Sequence, residues 1–88
     1  MNRRILFEPR TRAEFDEWKL KDKKKALRIY DLLKDIAVRP FEGIGKPEPL
    51  KHNLHGYWSR RIDKVNRLVY QISDDAIIII SCAHHYER

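Results

Sequence analysis

The hydrophobic pattern changes its period at Pro40, and no other feature constrains the fold of this chain as much. Upstream, Ala26, Ile29, Tyr30, Leu33, Ile36 and Ala37 recur at helical spacing, drawing one apolar stripe along a helix of 3.6 residues per turn. Downstream, "WSRRI", "RLVYQI" and "AIIIISCA" have the length and patterning of strands, and the intervening "DKVN" and "SDD" read as turns. Helical signals followed by strand signals give an α+β domain. Asp22 is placed to cap the helix, and Pro40 ends it at or before Arg39, because a proline disfavours the helical region for the residue before it.

An earlier helix is expected from about Pro9 to Leu20. Phe15 and Trp18 lie on one face, and Glu14, Asp16 and Glu17 precede Lys19 and Lys21, the order that suits the helix dipole. "RRILF" before it reads as a short strand closed by Pro9. In "RLVYQI", Leu68, Tyr70 and Ile72 share one face, and Arg67, Val69 and Gln71 the other. A tight "DKVN" turn makes this strand antiparallel to "WSRRI" and brings Arg67 close to Arg61. The last strand is apolar on both faces, as a central strand is. The expected architecture is two N-terminal helices packed on one face of a mostly antiparallel sheet of four to five strands, with a polar face opposite. Eighty-eight residues suit one domain, 1–88.

Nineteen Lys and Arg against thirteen Asp and Glu give a net charge of +6, a balance that suits a polyanionic partner. The cluster "KDKKK" opens the second helix, where the dipole disfavours cations. It is either a phosphate contact or a solvated lysine-rich face. Cys82 is the only cysteine and sits in an apolar run, so it reads as a packed core thiol. A reducing compartment fits that usage. The N-terminal apolar run is too short for a secretory segment and "IIII" too short to cross a bilayer, so a cytoplasmic location with no membrane partner is expected.

Chemistry concentrates in "GIGKPEPLKHNLHGYWSRRIDKVNRLVY". Lys46 and Glu48 each precede a proline, which pushes both towards extended conformations. Pro47 and Pro49 stiffen the segment and bar it from a sheet interior. Glu48 is thereby held on a rigid exposed or edge segment, near in sequence to Lys46, Lys51, His52, His55, Arg60 and Arg61. A carboxylate kept ionised by neighbouring cations is a proton acceptor, and arginines can hold a phosphate and its transition-state charge. The same residues also allow an ordinary surface ion pair, or a basic face that binds RNA without cutting it. The terminal "CAHHYER" offers His84 and His85 as proton donors and Tyr86 as a ring for stacking a base. Adjacent histidines point to opposite sides of a strand and lack partners at zinc-ligand spacing, so no metal or other cofactor is expected. No Walker loop, dinucleotide fingerprint, nucleophile elbow or zinc-finger spacing is present.

"PFEGIGKPEPLKHNLHGYWSRRIDKVNRLVY" with a terminal "HHY" closely resembles the YoeB/Txe toxins of the RelE-like superfamily, and the element order extends the match over nearly the whole chain. The resemblance implies a RelE-like (microbial RNase-like) fold and a type II toxin–antitoxin toxin that cleaves mRNA in the ribosomal A site. It implies Glu48 as general base and His85 as general acid. Conserved basic positions fall on Lys51, Arg61 and Arg67, and the terminal aromatic on Tyr86. Lys46 and His84 join the RNA-binding set, and Arg67 joins the catalytic one. Implied partners are a YefM-like antitoxin, the ribosome (rRNA) and mRNA; relatives often form dimers, and monomer or homodimer stays open here. The chain departs from the family at His55, Asn66, Ala83 and His84, none of which removes the acid or base.

Overall fold

The apolar run before Cys82 lies inside a five-stranded sheet. The computed structural model describes residues 3–82. In chain order it has β1 (Arg4–Phe7), α1 (Pro9–Lys21), α2 (Lys23–Val38), β2 (Glu48–Pro49), a single 3-10 turn (His52–Leu54), β3 (Tyr57–Arg61), β4 (Arg67–Ile72) and β5 (Ala76–Ser81). The spatial order is β1-β5-β4-β3-β2. β1 pairs with β5 in parallel, and every other pairing is antiparallel. β5 is thus flanked by a strand on each side, the position expected of a central strand.

Local signals start and stop the helices. Pro9 occupies the first turn of α1, where its absent N–H costs no hydrogen bond. The Asp22 carboxylate accepts from the Lys25 N–H at 3.3 Å, and α2 stops at Val38, two residues before Pro40. Part of the apparent misfit of the lysines at the start of α2 resolves across space: Lys25 Nζ lies 3.0 Å from an Asp63 carboxylate oxygen.

Ile29, Leu32, Leu33 and Ile36 of α2 pack against Leu68 and Tyr70 of β4 and Ile77 and Ile79 of β5. Leu32 is fully buried, whereas Tyr30 is 53% exposed. The buried stripe of α2 is therefore rotated from the expected one towards Leu32. Phe7 stacks on Phe15 with centroids 5.8 Å apart, tying α1 to β1. α1 also grips the end of β5. Thr11 Oγ1 donates to the Ile80 carbonyl at 2.8 Å, Trp18 Nε1 donates to the Cys82 carbonyl at 2.7 Å, and a Glu14 carboxylate oxygen accepts from the Cys82 N–H at 2.9 Å. Cys82 is buried, and burial pushes its thiol up to about 12, which suits a packed core thiol. Among the described residues no helix is long and apolar enough to cross a membrane.

Two carboxylates make the fold acid-sensitive. Burial tends to raise the Asp35 pKa, but hydrogen bonds from Arg39, Arg60 and the Ile44 N–H outweigh it and lower the group from 3.8 to about 2. Asp63 is likewise pushed well below the usual range, as donors from Asn66 and Lys25 outweigh its burial. A carboxylate whose folded pKa is depressed stabilises the fold above its unfolded pKa and loses that contribution as pH falls through the folded value. Urea midpoints are therefore expected to change little from neutral pH down to about pH 5 and to fall steadily from about pH 4 towards pH 2. A midpoint unchanged across that acid window would contradict the roles assigned to Asp35 and Asp63.

Candidate functional site

The Asp63 carboxylate accepts from the Val65 N–H at 2.8 Å, the Asn66 N–H at 2.6 Å and the Asn66 side-chain amide at 2.8 Å. This closes the expected "DKVN" turn and sets the register of the β3–β4 hairpin. Arg61 then lies directly opposite Arg67, and Ser59 opposite Val69. On the other side of β3, Glu48 pairs with Ser59 and Pro49 with Trp58. β2 is the sheet edge, where proline is tolerated.

Strand alternation divides the residues between the two sheet faces. Trp58, Leu68 and Tyr70 point towards the helices and the core. Glu48, Ser59, Arg61 and Arg67 share the opposite face, although Leu6, opposite Ile78 in the β1–β5 pairing, makes that face less uniformly polar than expected. On it Arg67 Nη1 lies 3.5 Å from Glu48 Oε1 and donates to Ser59 Oγ at 3.2 Å. Arg67 is the more enclosed partner, its side chain 28% exposed against 52% for Glu48. Arg61 is exposed and faces Arg67 across the hairpin. Like charges opposite one another in an antiparallel pair repel, and an anion between them would relieve the repulsion. The arrangement can accept a proton at Glu48 while presenting guanidinium groups to a phosphate.

The sequence-predicted residues separate as follows. Glu48, Arg67 and Arg61 come together on one face. Lys46 and Lys51 are exposed on either side of β2. His84, His85 and Tyr86 lie outside the described residues. Among the described residues no group of three or more His, Cys, Asp or Glu side chains is arranged to hold a metal ion.

Two expectations need correction. Arg60 does not join the cations around Glu48: it is fully buried on the helix side of the sheet. There it faces Asp35 and Tyr70, because strand alternation puts it in phase with Trp58. Lys46 is not extended either. Its φ is +52°, since Gly45 before it is pinned through its carbonyl to the Arg61 N–H at 2.7 Å and the chain must turn sharply from there into β2. Ser59, which holds Arg67, was not singled out from sequence; its signal was its position in phase with Arg61 on the strand.

The family model for the YoeB-like toxin of bacterial type II toxin-antitoxin systems matches residues 7–86. The chain belongs to the YoeB toxin family. It is 63% identical over 67 residues to a Synechocystis protein named Toxin YoeB, an alignment covering 76% of this chain and 78% of the relative. The YoeB dimer from Staphylococcus aureus has a solved structure that superposes with a TM-score of 0.89 at 45% identity, covering 98% of this chain and 100% of that one. A heterotetrameric YoeB-YefM toxin-antitoxin complex from the same organism superposes with a TM-score of 0.87 at 45% identity, covering the same shares. Two helices against a mixed five-stranded sheet are thus the RelE-like fold of the YoeB toxins. The family match spans the whole Glu48–Arg67 site.

Proposed function

We propose that this YoeB-family toxin is a ribosome-dependent mRNA endoribonuclease, acting as one domain across residues 1–88. The observation that supports this most is the carboxylate of Glu48, set on a proline-flanked edge strand 3.5 Å from the Arg67 guanidinium on the open face of the sheet. RNA carries its own nucleophile, so the reaction needs no serine, cysteine, metal or cofactor. Glu48 accepts the proton of a ribose 2′-OH as that oxygen attacks the adjacent phosphorus. Arg67, assisted by Arg61 and Lys51, neutralises the charge on the phosphorane. His85 protonates the departing 5′-oxygen, leaving a 2′,3′-cyclic phosphate and a free 5′-hydroxyl. Lys46, His84 and Tyr86 contact the RNA, the last by stacking.

Chain length is compatible with this pairing of acid and base. Glu48, Ser59, Val69 and Ser81 are successive register partners across the sheet, three interstrand spacings or about 14 Å in all. His85 is four positions beyond Ser81, a span of up to about 14 Å. Glu14 and Trp18 hold Cys82, the first residue after Ser81.

The ribosome grips mRNA and supplies the alignment that a small enzyme without a deep pocket lacks. Binding of the basic surface to rRNA weakens steeply with salt. The remaining partner is a YefM-like antitoxin, as in the S. aureus complex, and a homodimer is the expected assembly, as in the S. aureus toxin. With these partners the toxin acts in the cytoplasm.

The test adds purified protein to a translating extract and maps mRNA ends, with the same mRNA free of ribosomes as control. New ends are expected only within translated message; no cutting in the extract overturns the function, and equal cutting of free mRNA overturns its ribosome dependence. His85→Ala is expected to cosediment with ribosomes and to lose about 10²-fold or more of the cutting. Full-rate cutting by that variant would remove His85 from the acid role.

A further inference from the structure

We propose that Arg60 is a positioning residue, a buried spool on which the 39–45 loop is wound so that Glu48 meets Arg67 in register. The inference rests on the reading of Glu48 as the general base.

Arg60 is fully buried, yet every N–H direction of its guanidinium is used. Nε donates to the Tyr70 hydroxyl at 3.1 Å. Nη1 donates to the Asp35 carboxylate and to the Ile44 carbonyl, the latter at 3.1 Å. Nη2 donates to the carbonyls of Arg39 and Glu42, the latter at 2.8 Å. Three of these acceptors are backbone oxygens of one loop. A fourth oxygen of the same stretch, the Pro40 carbonyl, accepts from Tyr70 at 3.0 Å, and Asp35 takes the Ile44 N–H at 3.0 Å. A planar fork of five fixed donors can hold a loop in one path, which a lysine ammonium cannot.

The loop fits closely around this fork. A Cβ on Gly43 would stand 2.0 Å from an Asp35 carboxylate oxygen and 3.1 Å from Arg60 Nη1, and the residue has φ +121°. Gly45 has φ +82°, and a Cβ there would meet Leu32 Cδ2 at 2.7 Å. Both positions require glycine for space and for backbone conformation. From Gly45 the chain passes through Lys46, at φ +52°, and the rigid Pro47 directly to Glu48. Such a conformation at a side-chain-bearing residue persists only where its surroundings enforce it.

β2 cannot locate Glu48 unaided, because it is two residues long and lies at the sheet edge. The spool fixes its approach, and Pro47 transmits that placement stiffly. One strand therefore serves both partners: Arg60 sets the loop that delivers Glu48, while Ser59 beside it orients Arg67.

The test uses the full chain and single-turnover cutting of mRNA on ribosomes. Tyr70→Phe keeps the buried ring but removes the hydroxyl that links Arg60 to Pro40. Asp35→Asn keeps the shape and removes the charge facing Arg60. Rates are expected to fall about 10-fold and about 100-fold respectively, with the half-saturating ribosome concentration nearly unchanged, as for misplacement of a reacting group. Thermal melts establish that each variant is folded at the assay temperature; if Asp35→Asn is not, Tyr70→Phe decides.

The discriminating measurement is made in a Glu48→Gln background. There Tyr70→Phe should lower the residual rate no further, since the group it misplaces is already gone. A folded Tyr70→Phe variant cutting at full rate, or the same fractional loss with and without Glu48, overturns the positioning role alone. Full-rate cutting by Glu48→Gln overturns the base assignment and the positioning role together.

Discussion

Glu48→Gln is expected to bind ribosomes as well as the parent and to cut mRNA about 10²- to 10⁴-fold more slowly, the range that a positioned general base contributes. The amide keeps the size and hydrogen-bonding reach of the carboxylate but cannot take a proton. Glu48 is about half exposed and its pairing with Arg67 is 3.5 Å long, so losing the ion pair costs the fold little, about 0–1 kcal/mol. The melting temperature should therefore stay close to the parent's while activity collapses. Removing a negative charge from a basic face should, if anything, tighten binding to rRNA. A purely RNA-binding module predicts the same binding with no cutting to lose. Parent and variant compared in one extract thus separate the two readings, and equal cutting by both would end the base assignment.

Arg67→Ala should slow cutting about 10²- to 10³-fold, the usual cost of removing one group aimed at developing charge. The variant loses the hydrogen bond to Ser59 as well as the partner of Glu48. It should also lower the slope of log affinity against log salt by roughly one unit, as expected for a lost phosphate contact. Arg67→Lys restores the charge without the planar fork and should recover only part of the rate. Single-turnover rates on ribosome complexes, with binding measured at several salt concentrations, check both variants. A parental rate in Arg67→Ala would show that the phosphorane is neutralised elsewhere.

What the sequence disclosed depended on whether the signal was local. Asp22 as cap, Pro40 as terminator and Asp63–Asn66 as turn each act within four residues, and the structure has all three. The hairpin that faces Arg61 with Arg67 follows from that turn. The edge position of Glu48 follows from two prolines that no interior strand accepts. Harder to read were features created by residues distant in sequence. Arg60 looks like one more cation in "WSRRI" until Asp35, 25 positions away, supplies its counter-charge. Counting in twos from Trp58 would have sent it into the core, but a buried arginine is improbable without a known partner. Lys46 obeys the demands of the loop behind it rather than the proline ahead. Tyr30 and Leu32 could each complete a helical stripe, and only the packed sheet selects Leu32.

The parallel pairing of β1 with β5, Arg4 against Ala76, has a consequence for biosynthesis. β5, the strand between β1 and β4, is the last of the described strands in the chain, so a nascent polypeptide that has reached β4 still lacks the partner of β1 and part of the surface on which α1 and α2 pack. Contacts of such long sequence separation form late and slowly. Helical segments can form during translation, but the barrier to a finished toxin is crossed only after β5 has been made. An antitoxin already present in the cell therefore has an interval in which to meet the polypeptide before the toxin is fully folded.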